Sequence, residues 1–305
     1  MNNLNEHMIA AGKYAEFVET VFQMVSNKIG EQFRVRKVCA NKNNETIRWG
    51  ISIFNPNDKS KDVRLTPTIY LEEYYGMHVR GCEFAEIVQH IIDLYYEITS
   101  PFEFNMEDFE FDNIKDKVCF KLINQGMNMN LLESMPHRQF CDLAVTYYVQ
   151  IIDDEKGVGT IPVNNSLMMF WGTDENTLWE LAYKNTKNLL SPRFQTVKDA
   201  IYECTGEVIE DGLSSFTLTN KRKHFGAASV LYEETLHKIA ETLQSSYFLL
   251  PSSIHEWVIF ADDGIPDTES CNSLIQLVNR TELTAEEILA DHVYYYDRSQ
   301  RKISY

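Results

Sequence analysis

The sequence predicts a mixed α+β protein, an α/β-type chain in which helices pack on mixed or antiparallel sheets. Stretches with apolar residues at helical spacing occur throughout the 305 residues. Short runs of alternating apolar residues, joined by turn-forming residues, indicate antiparallel strands. The composition, 44% hydrophobic and 24% charged, is that of an ordinary globular protein. Because a helix precedes strands in both the first and the last third, the pattern suggests two similar lobes.

The first hundred residues predict one sheet covered by helices. Apolar residues recur at helical spacing after Lys13, and Gly30 supplies a natural stop. Two alternating runs on either side of an Asn-rich turn indicate a hairpin. The elements are expected in the order helix (13–29), strand (33–38), strand (47–53), strand (66–71) and helix (83–98).

Residues 101–116 are acidic and aromatic, and they suggest a boundary between a first domain, residues 1–110, and a second, residues 111–305. A single domain is the alternative, because no linker rich in Pro, Gly or Ser separates the two parts. Phenylalanines interleave with the acidic residues, which makes the stretch a candidate surface for docking into a basic groove. The alternative is a loop whose rings pack on the core. The candidate interaction residues are Glu103, Glu107, Asp108, Glu110 and Asp112.

The second part is organised around residues 224–263, where an amphipathic helix precedes two apolar strands joined by Pro251-Ser252-Ser253. Before it, the β-rich run from Phe140 to Ile151 predicts one long central strand. Near the end, Thr284 and Glu287 have the spacing of a capping box, which predicts a helix as far as Ala290.

The charge balance limits the class of partner. The chain carries 45 acidic and 28 basic residues, a net charge of -17. This opposes direct binding of nucleic acid, whose phosphates need Lys and Arg, and adhesion to an anionic membrane. It suits a basic protein partner, or a mimic of nucleic-acid charge. The alternative is that the acidity only keeps the protein in solution.

The six cysteines are scattered without a CxxC spacing, which argues against a zinc ribbon or a thioredoxin-type motif. No apolar signal core and no long apolar run occurs, so we expect neither a signal peptide nor a membrane helix. These features predict a cytoplasmic protein. We expect no cofactor and assign no metal ligands.

No phosphate-binding loop, dinucleotide fingerprint, zinc-protease motif or nucleophile elbow is present. The weak catalytic candidates are His255, Glu256, Asp262, Asp263 and Asp142. On a strand His255 and Glu256 point to opposite faces, so His255 would need a carboxylate from another strand for acid–base or metal chemistry. The alternative is a structural histidine that bonds to the backbone near the start of its strand.

Two further groups of residues are candidates for a functional site. His137, Arg138 and Cys141 precede or begin the predicted central strand, but a spacing of four residues does not place His137 beside Cys141, so a structural role is favoured. The basic turn from Lys221 to His224 could meet a phosphate or an acidic partner, and a solvated turn is the alternative.

Four phrases carry a family resemblance: MPHRQFCDLAVTYY at 135–148, WGTDE at 171–175, LPSSIHE at 250–256 and DHVYYYD at 291–297. They resemble an uncharacterised bacterial family, DUF5688, whose members often occur on mobile genetic elements. The resemblance spans essentially the whole chain. It implies a bacterial cytoplasmic protein and suggests an accessory of a mobile element. It transfers no activity and no catalytic residue.

Three functions remain open. The first is a non-enzymatic interaction or inhibitor protein that engages a basic, nucleic-acid-binding partner such as a host defence enzyme. The second is a metal-dependent hydrolase or nuclease-like enzyme that uses His255 and nearby carboxylates. The third is a housekeeping scaffold.

Overall fold

The computed structural model describes residues 2–57, 66–99, 109–154, 157–208, 214–264 and 266–305. By its internal contacts the chain divides into two compact units, Met1–Lys42 with Thr46–Glu110, and Asn43–Glu45 with Phe111–Tyr305. Every strand pairing in the described part is antiparallel, so the predicted α+β class is confirmed. No helix in these ranges is long and apolar enough to cross a membrane.

Unit 1 has the predicted order of helices and strands, with one further helix after the third strand. The sheet runs β1-β2-β3, and the fully buried Val21, Ile51 and Ile87 join helices and sheet in one core. Burial of these apolar faces stabilises elements that would be marginal alone. The elements are α1 Asn2–Lys28, β1 Arg34–Asn41, β2 Ile47–Phe54, β3 Thr68–Tyr70, α2 Glu72–Val79 and α3 Phe84–Thr99.

Unit 2 contains two sheets. Its helices are α4 Phe111–Ile114, α5 Met129–Leu132, α6 Asn165–Phe170, α7 Glu175–Leu189, α8 Val197–Thr205, α9 Glu233–Leu243 and α10 Thr268–Thr281. Its strands are β4 Val118–Asn124, β5 His137–Phe140, β6 Leu143–Asp154, β7 Gly157–Pro162, β8 Pro192–Thr196, β9 Ser215–Asn220, β10 Tyr247–Ser253, β11 Glu256–Ala261, β12 Tyr294–Asp297 and β13 Lys302–Ser304.

The larger sheet of unit 2 runs β13-β12-β10-β11-β9-β8. In the smaller sheet, β6 pairs with β4 on one edge and with β5 and β7 on the other. Large aromatic side chains fill the core, and the indole N–H of the buried Trp257 donates to the Ala227 carbonyl at 2.7 Å. Helix α10 covers the larger sheet by burying Cys271 and Ile275.

The predicted central strand from Phe140 to Ile151 is wrong in one respect. The chain breaks at Cys141, which takes a left-handed φ of 55°, so that β5 and β6 form a hairpin instead of one strand. The turn places Asp142 directly before the first residue of β6, where β5 and β6 end. A single alternating run cannot show such a break, because the period-two pattern is the same on both sides.

The capping box of Thr284 and Glu287 is confirmed. The helix that it was expected to start is wrong: it closes a single 3-10 turn, Ala285–Glu287, and the chain then extends through the buried Leu289 and Ala290. Burying these two apolar residues in extended chain overrides the local helical signal.

Candidate functional site

His255 lies in the turn between β10 and β11, fastened to backbone groups. Its Nδ1 accepts a hydrogen bond from the Phe225 backbone N–H at 3.0 Å, which requires the ring proton to be on Nε2 when the imidazole is neutral. Its own backbone N–H donates to Ser253 Oγ at 3.0 Å. The ring also stacks parallel to that of Phe225. These contacts hold His255 in one tautomer and one orientation.

The loop that donates to His255 is tightly constrained. Asn220 braces it, because its Nδ2 donates to the His224 carbonyl at 2.7 Å and its Oδ1 accepts from the Arg222 backbone at 3.0 Å. Phe225 takes a left-handed φ of 54°. At Gly226 a Cβ atom would lie 2.2 Å from Thr219 Oγ1 and 2.5 Å from the His255 carbonyl oxygen, so only glycine fits.

His224 lies with its ring 5.4 Å from that of His255. Burial, with smaller contributions from the nearby His255 and Lys121, lowers the pKa of His224 to about 4. Burial also lowers the pKa of His255, an effect that Glu287 opposes and Lys121 reinforces. Both rings are therefore neutral at neutral pH. The turn residues Lys221, Arg222 and Lys223 are exposed, whereas His224 faces the protein.

The structure does not bring the candidate carboxylates to His255. Glu256 accepts from Ser252 Oγ at 3.3 Å. Asp262 follows the six-residue strand β11, which places it roughly 20 Å from the His255 end. There it accepts from the Tyr295 hydroxyl at 2.7 Å, and the exposed Asp263 is its neighbour.

Asp142 belongs to a different cluster, defined by Asp142, Asp291, His292 and Tyr294. Asp142 Oδ1 accepts from the Tyr294 hydroxyl at 2.5 Å, and Asp142 Oδ2 lies 3.4 Å from His292 Nε2. His292 Nδ1 lies 3.1 Å from Asp291 Oδ1. The imidazole therefore has a carboxylate beside each nitrogen. Burial and the Asp142 hydrogen bond raise the pKa of the Tyr294 hydroxyl, so it stays protonated and donates.

In the Asp142–His292 pair, His292 Nε2 is buried although both side chains are partly exposed. The side chains of Asp142 and His292 are 30% and 31% exposed, and a carboxylate–imidazole pair is a common acid–base unit. The neighbouring Cys141 is not an activated nucleophile, because burial, with a contribution from Asp142, raises its thiol pKa to about 11. The two carboxylates approach different nitrogens and do not converge on one ion. Within the described ranges, no three His, Cys, Asp or Glu side chains are arranged to hold a metal.

A second polar centre, formed by Arg138, Tyr147, Glu175 and Trp179, is structural in character. Arg138 Nη2 lies 2.9 Å from Glu175 Oε2, and its guanidinium stacks over Trp179 at 4.6 Å. The hydroxyl of the fully buried Tyr147 donates to the same carboxylate. These contacts tie β5 and β6 to the first turn of α7.

Unit 2 carries 29 acidic and 17 basic residues, and its acidic residues are unevenly distributed along the sequence. Residues 256–297 contain ten acidic side chains and one basic side chain, Arg280. We call the exposed members the α10 acidic surface, because they flank or lie on that helix. They are Asp262, Asp263, Asp267, Glu269, Glu282 and Asp291.

The structure describes only part of the acidic run, residues 101–116, that the sequence analysis identified as a candidate docking surface. Glu103, Glu107 and Asp108 lie outside the described residues. Glu110 is exposed, and Asp112 pairs with Lys115 at 2.7 Å, a bond that lowers the pKa of the Asp112 carboxyl. A running count of charge along the sequence could have found the longer acidic segment, 256–297, because a single arginine interrupts it.

Comparison with known proteins identifies the family. The model of a family of unknown function (DUF5688) matches residues 14–298. The chain belongs to this family. No curated protein and no solved structure matches it. Side-chain contacts within unit 2 join three of the four sequence phrases that resemble the family. Asp142 of the first phrase contacts His292 and Tyr294 of the last, and Arg138 of the first contacts Glu175 of the second.

Proposed function

We propose that this family member is a non-enzymatic interaction protein of the cytoplasm, which uses the α10 acidic surface to bind a basic, nucleic-acid-binding protein and to inhibit it. The observation that carries the proposal is the excess of negative charge in residues 256–297, which contain ten acidic side chains and one basic side chain. A host defence enzyme is the partner class that the mobile-element resemblance suggests. The absence of disulfides among the six cysteines, all of them in the described ranges, agrees with a reducing compartment.

Electrostatics supports a basic partner. Carboxylates clustered on one surface attract a positively charged groove over about a Debye length and accelerate encounter. The same carboxylates repel nucleic acid itself. A protein that covers a nucleic-acid-binding groove with such a surface therefore competes with the nucleic acid for the same lysines and arginines.

The α10 acidic surface also offers apolar contact. Leu274 and Leu277 are 43% and 52% exposed and lie three residues apart, so they share one side of the helix. Interfaces between proteins combine an apolar centre with a polar rim. Two exposed leucines among carboxylates fit a protein partner better than a purely ionic one.

The test is an affinity pull-down from native cytoplasm at about 50 mM and about 500 mM salt, read by mass spectrometry. We expect one basic protein at low salt, less of it at high salt, and displacement of the chain from it by the partner's nucleic acid. A triple variant, Asp263→Asn with Glu269→Gln and Glu282→Gln, should lose the partner.

The matched control removes the same charge from exposed carboxylates of unit 1, as Glu31→Gln with Glu73→Gln and Glu83→Gln. It should retain the partner. Equal binding by both triple variants would exclude the α10 acidic surface as the interface. Capture of no basic protein at either salt would refute the inhibitor proposal and favour a scaffold whose acidity serves solubility.

A hydrolase or nuclease-like enzyme is the second candidate, and the Asp142–His292 cluster favours it more than His255 does. The pair is partly exposed and combines a proton acceptor with a histidine. Chromogenic phosphate mono- and diesters, carboxylic esters and duplex DNA, each with and without divalent metal, would test this. Turnover that disappears in His292→Gln and persists in His255→Gln would support it, and no turnover of any of them would count against it.

A further inference from the structure

A cavity of about 310 Å³ opens beside α9 in unit 2. Its size is at the lower end of the range for small-molecule sites. Its walls combine an apolar base with charged groups of both signs. The lining residues are Glu233, Glu234, Leu236, His237, Tyr296 and Arg301.

The positive end of the cavity is built by a rigid turn. Asp297 Oδ1 accepts from the backbone N–H groups of Ser299 and Gln300 at 2.8 and 2.9 Å. Arg301 follows with a left-handed φ of 53°. Its Nη2 lies 3.1 Å from His237 Nε2, which is itself 3.3 Å from Glu241 Oε1, so the guanidinium is placed against the second turn of α9. Arginine has five donors in a fixed fork, and this contact uses one of them.

The negative end lies one helical turn earlier. Glu233 and Glu234 occupy the first turn of α9. Lys187 pairs with Glu234, whereas Glu233 has no ion pair among the described residues and supplies the negative charge. Residues four apart on a helix lie about 5–6 Å from each other, which sets the distance between Glu233 and the His237 level where Arg301 is held.

The charges at both ends of the cavity affect the pKa of the Tyr296 hydroxyl. Burial raises this pKa, the Arg301 charge opposes the rise, and Glu233 adds to it. Tyr296 lines the same cavity as Arg301 and Glu233. With Leu236 it forms the less polar part of the wall.

We propose that this cavity binds a small zwitterion of the α-amino-acid class, with its carboxylate on Arg301, its ammonium group on Glu233 and its side chain against Leu236 and Tyr296. A ligand with one charge would satisfy one end and leave the other without compensation. A ligand with both charges forms two charge-assisted hydrogen bonds, one at each end. This site is independent of the α10 acidic surface and of any protein partner.

Isothermal titration of the full chain with the proteinogenic amino acids, one at a time up to about 10 mM, tests the proposal. We expect at least one to bind with a Kd below about 1 mM. The N-acetyl and the amide derivatives of that amino acid each lack one charge and should bind at least about tenfold more weakly.

Arg301→Gln and Glu233→Gln should each weaken binding about tenfold, because each removes one charge-assisted contact. Glu73→Gln and Arg280→Gln, which remove one charge of each sign at exposed positions outside the cavity, are the matched controls and should bind normally. Three results would each overturn the proposal: no amino acid binds, the singly charged derivatives bind as well as the parent, or both cavity variants bind like the wild type. The unfolding midpoint of each variant checks that it is folded.

Discussion

His255 and His292 introduce β11 and β12, the two strands that flank β10, yet their surroundings are opposite in kind. His255 is held by a backbone N–H, and its charged neighbours include Lys121 and Glu287. His292 has a carboxylate beside each ring nitrogen. Both imidazoles are partly buried, but one is held neutral by its surroundings and the other lies between two acids.

The difference shows that the chemistry of a histidine depends on what the fold brings to it. His255 stands next to Glu256 in the chain, but the turn directs its ring onto the loop around Phe225. Asp142 and Tyr294 are 152 residues apart in the chain, but their side chains touch. We therefore assign His255 to stability, and we regard His292 as the histidine with the better geometry for proton exchange.

The largest expected effect comes from Gly226→Ala. The new Cβ would meet Thr219 Oγ1, the His255 carbonyl oxygen and the Asn220 backbone nitrogen at distances that real atoms do not reach. Since two of these are backbone atoms, the loop has to move and the bond to His255 is lost. We expect the free energy of unfolding to fall by about 3–4 kcal/mol, measured by urea denaturation.

Gly126→Ala is the control, because its nearest neighbour would be Asn124 Oδ1 at 3.6 Å, an ordinary contact. It should change stability by less than about 0.5 kcal/mol. If Gly226→Ala proved as stable as this control, the tight packing of the loop against His255 would be refuted.

The second prediction concerns pH. Because the pKa values of His224 and His255 are lower in the folded protein than in the unfolded chain, the unfolded state binds more protons at mildly acidic pH. The stabilisation is fully present above the unfolded value of 6.5 and is lost as the pH falls toward the folded value of about 4 for His224. We expect a loss of the order of 2 kcal/mol, discounted for the partial exposure of the ring.

His224→Phe separates this effect from general acid denaturation. Phenylalanine keeps the ring contact with Phe225 and removes the titratable group, including a buried Nε2 without a hydrogen-bond partner in the described structure. The loss of stability between about pH 7 and about pH 5 should fall by half or more. An unchanged pH dependence would mean that His224 is charged in the folded protein.

Much of the fold can be predicted from sequence, because periodic burial is a local signal. The helix-strand-strand-strand-helix order of unit 1 and the β10–β11 pair follow from apolar spacing and turn residues. The break at Cys141 does not, since an alternating run looks the same with or without a hairpin turn that requires positive φ at one residue. Local helical signals near Thr284 were likewise overridden by burial of Leu289 and Ala290.

The site residues are harder to predict for the same reason. The sequence placed His255 and Glu256 on opposite faces of a strand and left the carboxylate partner of His255 open. In the structure His255 bonds to the Phe225 backbone and Glu256 to the Ser252 hydroxyl. The Asp142–His292 cluster needs the register of two sheets, which no local pattern contains. Asp142 and His292 both lie in phrases that resemble the family. An expected contact between two such phrases was therefore the only sequence signal for the cluster.

The third prediction is that Tyr294→Phe costs about 1.5 kcal/mol. Tyr294 is 1% exposed, and its hydroxyl donates to a carboxylate that would lose this partner. Tyr295→Phe is the matched control. Its hydroxyl also donates to an aspartate, Asp262, but in an exposed position, so the change should cost less than about 0.5 kcal/mol. Equal costs would show that burial does not distinguish the two tyrosines.

The smallest expected effect is that of His292→Gln, and it tests the comparison most directly. Both carboxylate contacts of His292 are partly exposed, so solvent and salt screen them, and the loss of stability should stay below about 1 kcal/mol at low salt and shrink further at about 1 M salt. Urea denaturation at the two salt concentrations measures this. His255→Gln, which loses the bond from Phe225 in a buried turn, should cost more and show no such dependence on salt. A large, salt-independent cost at His292 would place it with His255 among the structural histidines and would remove the physical basis for the acid–base alternative.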